Sequence, residues 1–119
     1  MFDFERLEVY QVVRDLNNTV FRLLYRNQDI DADIRAQWKK ASMNIKTNLA
    51  EGIGRMSASE KKNYITNARG CVNTSVALLH IATDLGQVTD EDFRTLYDKH
   101  EQASKMLLGM YRSFASQSQ

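Results

Sequence analysis

The chain has 119 residues, 43% of them hydrophobic and 26% charged, with a formal net charge of +1. Those totals are ordinary for a soluble globular protein and leave room for one domain around one core, burying roughly 65% of the unfolded chain's surface. No apolar run approaches the ~20 residues of a membrane span, the start Met-Phe-Asp-Phe-Glu lacks the pattern of a signal peptide, and the lone Cys71 can form no internal disulfide, so a cytoplasmic setting is expected.

There is no proline, so long helices are allowed. Asp3 is placed to cap a first helix running to residue 27, with Leu7, Tyr10, Val13, Leu16, Val20, Leu23 and Leu24 at steps of three and four. The polar stretch 27–31 reads as a turn. Asp31 or Asp33 then opens a second helix over 32–53, with Ile34, Trp38, Ala41, Ile45 and Leu49 on one face and Gly52 and Gly54 at its end.

Ser57-Ala-Ser-Glu60 has the form of a capping box for a third helix over 58–85, closed by Gly86 as its C′ glycine. Thr89-Asp-Glu-Asp92 repeats the pattern with Asp in place of Glu and opens a fourth helix over 90–114. The last residues, 115–119, are expected to fray. Short connections force antiparallel neighbours, so the sequence predicts an all-α, up-down-up-down four-helix bundle as a single domain over 1–119.

The apolar arcs are wider than such a core consumes. On the third helix Tyr64, Cys71, Leu78, Ala82 and Leu85 form a second stripe beside Ile65, Ala68, Val72, Val76 and Leu79, and Val9 and Val12 widen the first helix's stripe. A bundle core takes an arc of ~100° or a little more. The surplus is either flank burial within the chain or contact with other subunits, and self-association is the expectation.

Charge is unevenly placed. Residues 34–62 carry Arg35, Lys39, Lys40, Lys46, Arg55, Lys61 and Lys62 against Glu51 and Glu60, whereas residues 84–101 carry Asp84, Asp90, Glu91, Asp92, Asp98 and Glu101 against Arg94 and Lys99. The asymmetry balances charge within or between subunits, or it makes an anion-binding face. On the second reading Arg35, Lys39, Lys40, Lys46, Lys61 and Lys62 are the candidate contacts to nucleic acid or an acidic partner.

Asn44, Asn48, Glu51 and Arg55 share one side of the second helix. With an antiparallel return, Arg69 is expected level with Asn44 and Asn48, completing a hydrogen-bonded network between helices or subunits. A small anion site using Arg55 and Arg69 is the alternative. Gly70, in mid-helix, suggests a close helix approach. Gly52-Ile-Gly54-Arg55 closes a helix and lacks the lysine and hydroxyl of a phosphate-binding loop. His100 falls on an apolar face and is expected in the core, and His80 shares a polar side with Arg69 and Asn73. Neither has a Glu three positions before it, and Cys71 has no histidine near it in sequence. No cofactor, metal or catalytic step is therefore expected.

Phe4-Glu5-Arg6-Leu7-Glu8-Val9-Tyr10-Gln11, then Asn48-Leu49-Ala50-Glu51-Gly52-Ile53-Gly54-Arg55 with Ser57 and Glu60, then Ala68-Arg69-Gly70 and Asp84-Leu85-Gly86, carry a resemblance over nearly the whole chain. The chain resembles the large-subunit rRNA intervening-sequence proteins, with Cys71 where the family tends to have Ser and Thr74 where it tends to have an acid. The resemblance implies a ring-shaped homopentamer of four-helix subunits, similar to retroelement accessory proteins that are proposed to bind nucleic acid and a reverse transcriptase through a basic surface. The alternative reading is a protein–protein adaptor with no nucleic-acid role.

Overall fold

A computed structural model describes residues 1–117. Four helices account for most of it: α1 (Glu8–Arg26), α2 (Ala32–Ile53), α3 (Ala58–Asp84) and α4 (Asp90–Gln117). Three of the four starts are set by local capping. The Asp31 carboxylate accepts the backbone N–H groups of Asp33 (2.9 Å) and Ile34 (3.2 Å), Ser57 Oγ accepts that of Glu60 (3.1 Å), and Thr89 Oγ1 accepts that of Asp92 (3.1 Å). The capping boxes are only half made. Glu60 and Asp92 turn instead toward Arg55 (3.9 Å) and Arg26 (2.9 Å), because a guanidinium within reach competes with a backbone N–H that water can satisfy.

Asp3 does not cap α1. Asp3–Arg6 form a short 3-10 turn, Leu7 is extended, and the helix proper begins at Glu8. The cause is aromatic: Phe4 meets Tyr10 edge-on at 4.9 Å and Phe2 stacks on Phe4 at 6.0 Å, a geometry a continuous helix does not offer to residues six apart. At the other end α4 runs on through Gln117, three residues past its expected stop, since Ala115-Ser116-Gln117 contains nothing that breaks a helix. The expected fraying of 118–119 lies outside the described residues.

Contacts between neighbours run in opposite senses along each pair. Asn17 meets Ser42 while Tyr25 meets Lys39 and Tyr10 meets Lys46; Trp38 meets Ser75 while Gly52 meets Tyr64; Ser75 meets His100 while Arg69 meets Ser104; and Asp15 meets Lys99 while Arg26 meets Asp92. Every adjacent pair is thus antiparallel, and the bundle is up-down-up-down. The α1–α2 and α3–α4 turns share one end, where Gln87 accepts from Asn27 (2.5 Å) and from the Asp31 N–H (3.2 Å). Ile30 and Val88, one from each turn, are buried beneath that bridge. Gly86, at φ 73°, lets α3 end tightly, with Gln87 N–H donating to Ala82 at 2.9 Å.

Between the turns the core is aliphatic except for Ser42, which accepts from Asn17, and three linked polar side chains in its middle. Trp38 Nε1 donates to Ser75 Oγ at 2.8 Å, and Ser75 Oγ lies 2.6 Å from His100 Nε2. His100 Nδ1 is 2.6 Å from the Leu96 carbonyl, which can only accept. Nδ1 therefore carries the proton, Nε2 accepts, and the Ser75 hydroxyl donates to it. All three side chains are fully buried, and burial pushes the His100 pKa below its usual value, with the Leu96 carbonyl opposing in part.

Ser75→Ala leaves an indole N–H and an imidazole nitrogen unpaired in the core, which costs on the order of 1–3 kcal/mol and should lower the thermal midpoint by several degrees in circular dichroism. The same site gives stability a pH dependence. His100 has a depressed folded pKa, so its contribution is intact above about pH 6.5 and falls as the pH drops below that, where the unfolded chain binds a proton the fold refuses. Urea midpoints measured from pH 7.5 to 5.5 should fall, and fall less in His100→Leu.

Candidate functional site

The basic segment from Arg35 to Lys62 is divided by the fold among several roles. Arg35 is spent inside the subunit: its guanidinium donates to the carbonyls of Leu24, Asn27 (2.8 Å) and Ile30 (3.4 Å), closing the C-terminal end of α1 and the turn after it. Lys61 Nζ donates to the Ile53 carbonyl at 2.9 Å and sits 5.6 Å from the Phe114 ring, so it braces the α2–α3 turn toward α4. Lys39 and Lys46 reach across to α1, where their ammonium groups lie 4.8 Å from the Tyr25 ring and 5.5 Å from the Tyr10 ring. Lys40 borders a shallow groove between α2 and α3 with Asn44, Cys71 and Thr74. Lys62 opens α3 half-exposed. Among the described residues none of these five lysines is paired with a carboxylate. They do not form a single face: Lys39 and Lys46 look out beside α1, Lys40 beside α3, and Lys61 beside α4.

Asn44, Asn48 and Glu51 lie on α2, whereas Arg55 falls in the turn beyond the helix end at Ile53 and reaches back to Glu51 and Tyr64. Asn48 Nδ2 donates to the Asn44 carbonyl at 2.8 Å. Arg55 donates to Glu51 (2.6 Å) and to the Tyr64 hydroxyl (2.5 Å) and lies 4.7 Å from the Tyr64 ring, while that hydroxyl is 3.1 Å from Glu51. The glycine before this cluster is required by it. A Cβ on Gly52 would stand 2.7 Å from Tyr64 Cβ, closer than side-chain carbons approach, so glycine is what lets α3 come in against the end of α2.

This is the Asn48–Arg55 motif on which the resemblance turns, and the family model for 23S rRNA-intervening sequence proteins matches residues 5–109. The chain belongs to that family. A comparison with curated proteins finds no match.

The expected five-membered network of this intervening-sequence protein is not assembled as a helical wheel suggests. Arg69 does not lie beside Asn44 and Asn48. It leans to the other edge of α3, its Nη2 3.5 Å from Ser104 Oγ on α4, with Nε buried and without a hydrogen-bond partner. Arg55 and Arg69 therefore do not converge on an anion. Cys71 is half-buried, and burial raises its thiol pKa, the reverse of what a nucleophile needs. Among the described residues no three His, Cys, Asp or Glu side chains gather as a metal site requires.

One surface was not anticipated. From Asn63 to Thr83 the only charged side chain is Arg69. The outward side of α3 is made of Asn63, Asn67, Gly70, Thr74, Ala77 and Ile81, all exposed and all uncharged, with Ile81 46% and Leu85 59% accessible. A Cβ on Gly70 would have nothing within 4 Å, so nothing in this subunit calls for a glycine there. The signal in the sequence is a long gap in charge.

Gly52 and Gly54 give a paired test of the close approach. Gly52→Ala should destabilise by roughly 1–3 kcal/mol, because Tyr64 Cβ is part of the α3 backbone's own position and cannot swing away. Gly54→Ala, with φ −78° and no contact nearer than 3.5 Å, should be neutral or slightly stabilising. Urea denaturation of the two variants checks the contrast.

Proposed function

We propose that this intervening-sequence protein is a non-catalytic scaffold: a ring of identical four-helix subunits, five by the family resemblance, that packs through the outward side of α3 and presents a basic surface to nucleic acid. The α3 surface carries the reading. An exposed helix side in a lone bundle is ordinarily charged, since charge keeps it solvated. Here about 30 Å of helix presents amides, a hydroxyl, a glycine and aliphatic side chains. That surface suits a helix–helix contact, because small residues let backbones approach and leave no charge to desolvate. Gly70, which costs ~1 kcal/mol in helix propensity and answers to no neighbour within the subunit, is accounted for by a neighbour outside it.

With α3 covered, Lys39 and Lys46 remain outward beside α1, while Lys40 shares a groove with Thr74 and lies at the margin of the contact. Among the described residues Lys39, Lys40 and Lys46 have no carboxylate partners and so break no ion pair when a phosphate approaches. A ring repeats them around its circumference, so a chain total near neutrality is compatible with a substantial local field.

A protein adaptor is the second reading. It is favoured by the aromatic cluster of His80, Phe93 and Tyr97 at the α3–α4 edge, with rings 5.2–6.3 Å apart and Tyr97 39% exposed. Partner capture in high and low salt, with and without nuclease, separates the two readings.

Gly70→Arg and Ala77→Arg each place a charge on the proposed contact. Sedimentation equilibrium should report dissociation toward the 13.7 kDa subunit with helicity retained; an unchanged oligomer mass removes α3 as the contact. For the basic surface, Lys39→Glu with Lys40→Glu and Lys46→Glu should abolish binding of labelled RNA or DNA at about 50 mM salt. Gln substituted singly at each of the three should lower the salt slope by about one. Unchanged affinity in the triple variant removes these lysines as the contact.

A further inference from the structure

We infer that the flank shared by α1 and α2 is a stacking surface for unpaired nucleotides, so that the nucleic acid held there is single-stranded; this rests on the nucleic-acid reading above. Three of the chain's five phenylalanines and two of its five tyrosines lie along this flank: Phe2, Phe4, Tyr10, Phe21 and Tyr25. They are linked in two groups, Phe2–Phe4–Tyr10 at 6.0 and 4.9 Å and Phe21–Tyr25 at 6.1 Å. Tyr10, Phe21 and Tyr25 fall within a narrow arc of α1, and the ends of that row are about 22 Å apart along the helix. Two of the five rings are open, Phe2 at 72% and Tyr25 at 64%, the other three are half-buried, and Met43 of α2, between the two lysines, is 46% exposed.

The two lysines of the flank lie over ring faces, and among the described residues neither is paired with an acid. Lys39 lies over Tyr25 and Lys46 over Tyr10. The ion pairs of the bundle lie elsewhere: between α1 and α4, around Arg55, and within α4. Glu5, a carboxylate at one end of the row, is engaged by the Phe2 N–H at 3.1 Å. A cation thus stands against a ring near each end of the row, beside the open rings of Phe2 and Tyr25. A single strand likewise offers bases next to phosphates, and base–aromatic stacking is available to every base because each has a π face. A duplex keeps its bases stacked on one another and would find only the lysines.

Beside Tyr10 the flank deepens into a groove of about 340 Å³ lined by Phe4, Asn17, Met43, Lys46 and Ala50, within the size range of sites that hold a small planar ligand. An acidic partner helix is a poorer match. It needs a continuous apolar ridge to bury, and here Asn17, which donates to Ser42 at 2.8 Å, and Arg14 interrupt the row between Tyr10 and Phe21.

The test uses the full chain with three fluorescein-labelled probes of about 15 nucleotides, a length suited to one strand-binding surface: oligo-U, oligo-dT and a mixed-sequence blunt duplex. Anisotropy at about 50 mM salt should give at least tenfold tighter binding of both single strands than of the duplex. Tyr10→Leu and Tyr25→Leu, which keep an apolar side chain and remove the ring, should each weaken single-strand binding by about tenfold without changing the salt slope, and Tyr25→Phe should restore it. Equal affinity for duplex, or undiminished binding by both Leu variants, overturns the stacking surface and leaves the basic-surface reading standing. If no probe binds, both fall. If the Leu variants retain helicity but lose oligomer mass in sedimentation, the flank is a subunit contact and the inference fails.

Discussion

The hydroxyl of Ser75 receives the indole N–H of Trp38 and gives its own proton to His100, whose other nitrogen is committed to the Leu96 carbonyl. Each of these groups is buried, and each is expensive if left unmade. Aliphatic side chains would pack nearly as well with α3 slid by a turn against its neighbours, but the relay would not close. One register of α2, α3 and α4 is therefore selected in the middle of the bundle. That register carries Tyr64 onto Gly52 at one end and Gln87 over the α1–α2 turn at the other.

α1 has no member in the relay. It is held by its aliphatic stripe from Val9 to Leu24, by Asn17 on Ser42, and by the ion pairs Asp15–Lys99 and Arg26–Asp92. Exposed ion pairs contribute little, so its attachment is chiefly apolar. A helix held on one stripe has its remaining circumference free for other work, and this is the helix that carries the row of rings. α3 is in the opposite position. It is gripped by α2 on one side and α4 on the other, and only its outward side is left.

That grip also explains what is legible in the chain alone. Asp31, Ser57, Thr89 and Gly86 are legible because a cap is decided within three or four residues. The position of Asp3 is not, since the competing interaction, Phe4 on Tyr10, depends on where the chain turns back. The second stripe on α3 looks like surplus in the sequence, yet Leu78 and Ala82 are buried within the subunit, because a helix between two close neighbours buries both flanks; Leu85 alone of that stripe is largely exposed. Apolar periodicity also has no sensitivity to a surface made of Asn, Thr, Gly and Ala. The outward side of α3 is distinguished by absent charge, and a search for hydrophobic steps passes over it.

The dispersal of the basic segment bears on how the protein can hold a polyanion at all. Arg35 is committed to three carbonyls and Lys61 to one, which leaves a few lysines per subunit for phosphates. Counterion release from so few contacts gives weak binding by each subunit. Two terms can make up the difference without further charge. On the proposed reading, stacking on Tyr10 and Tyr25 would add affinity that salt does not screen, and the proposed ring would join several weak surfaces so that a strand bound to one is already near the next. The two proposals therefore support one another: a ring built through α3 would multiply the few free lysines of each bundle, and stacking on the α1–α2 flank would add to what those lysines hold.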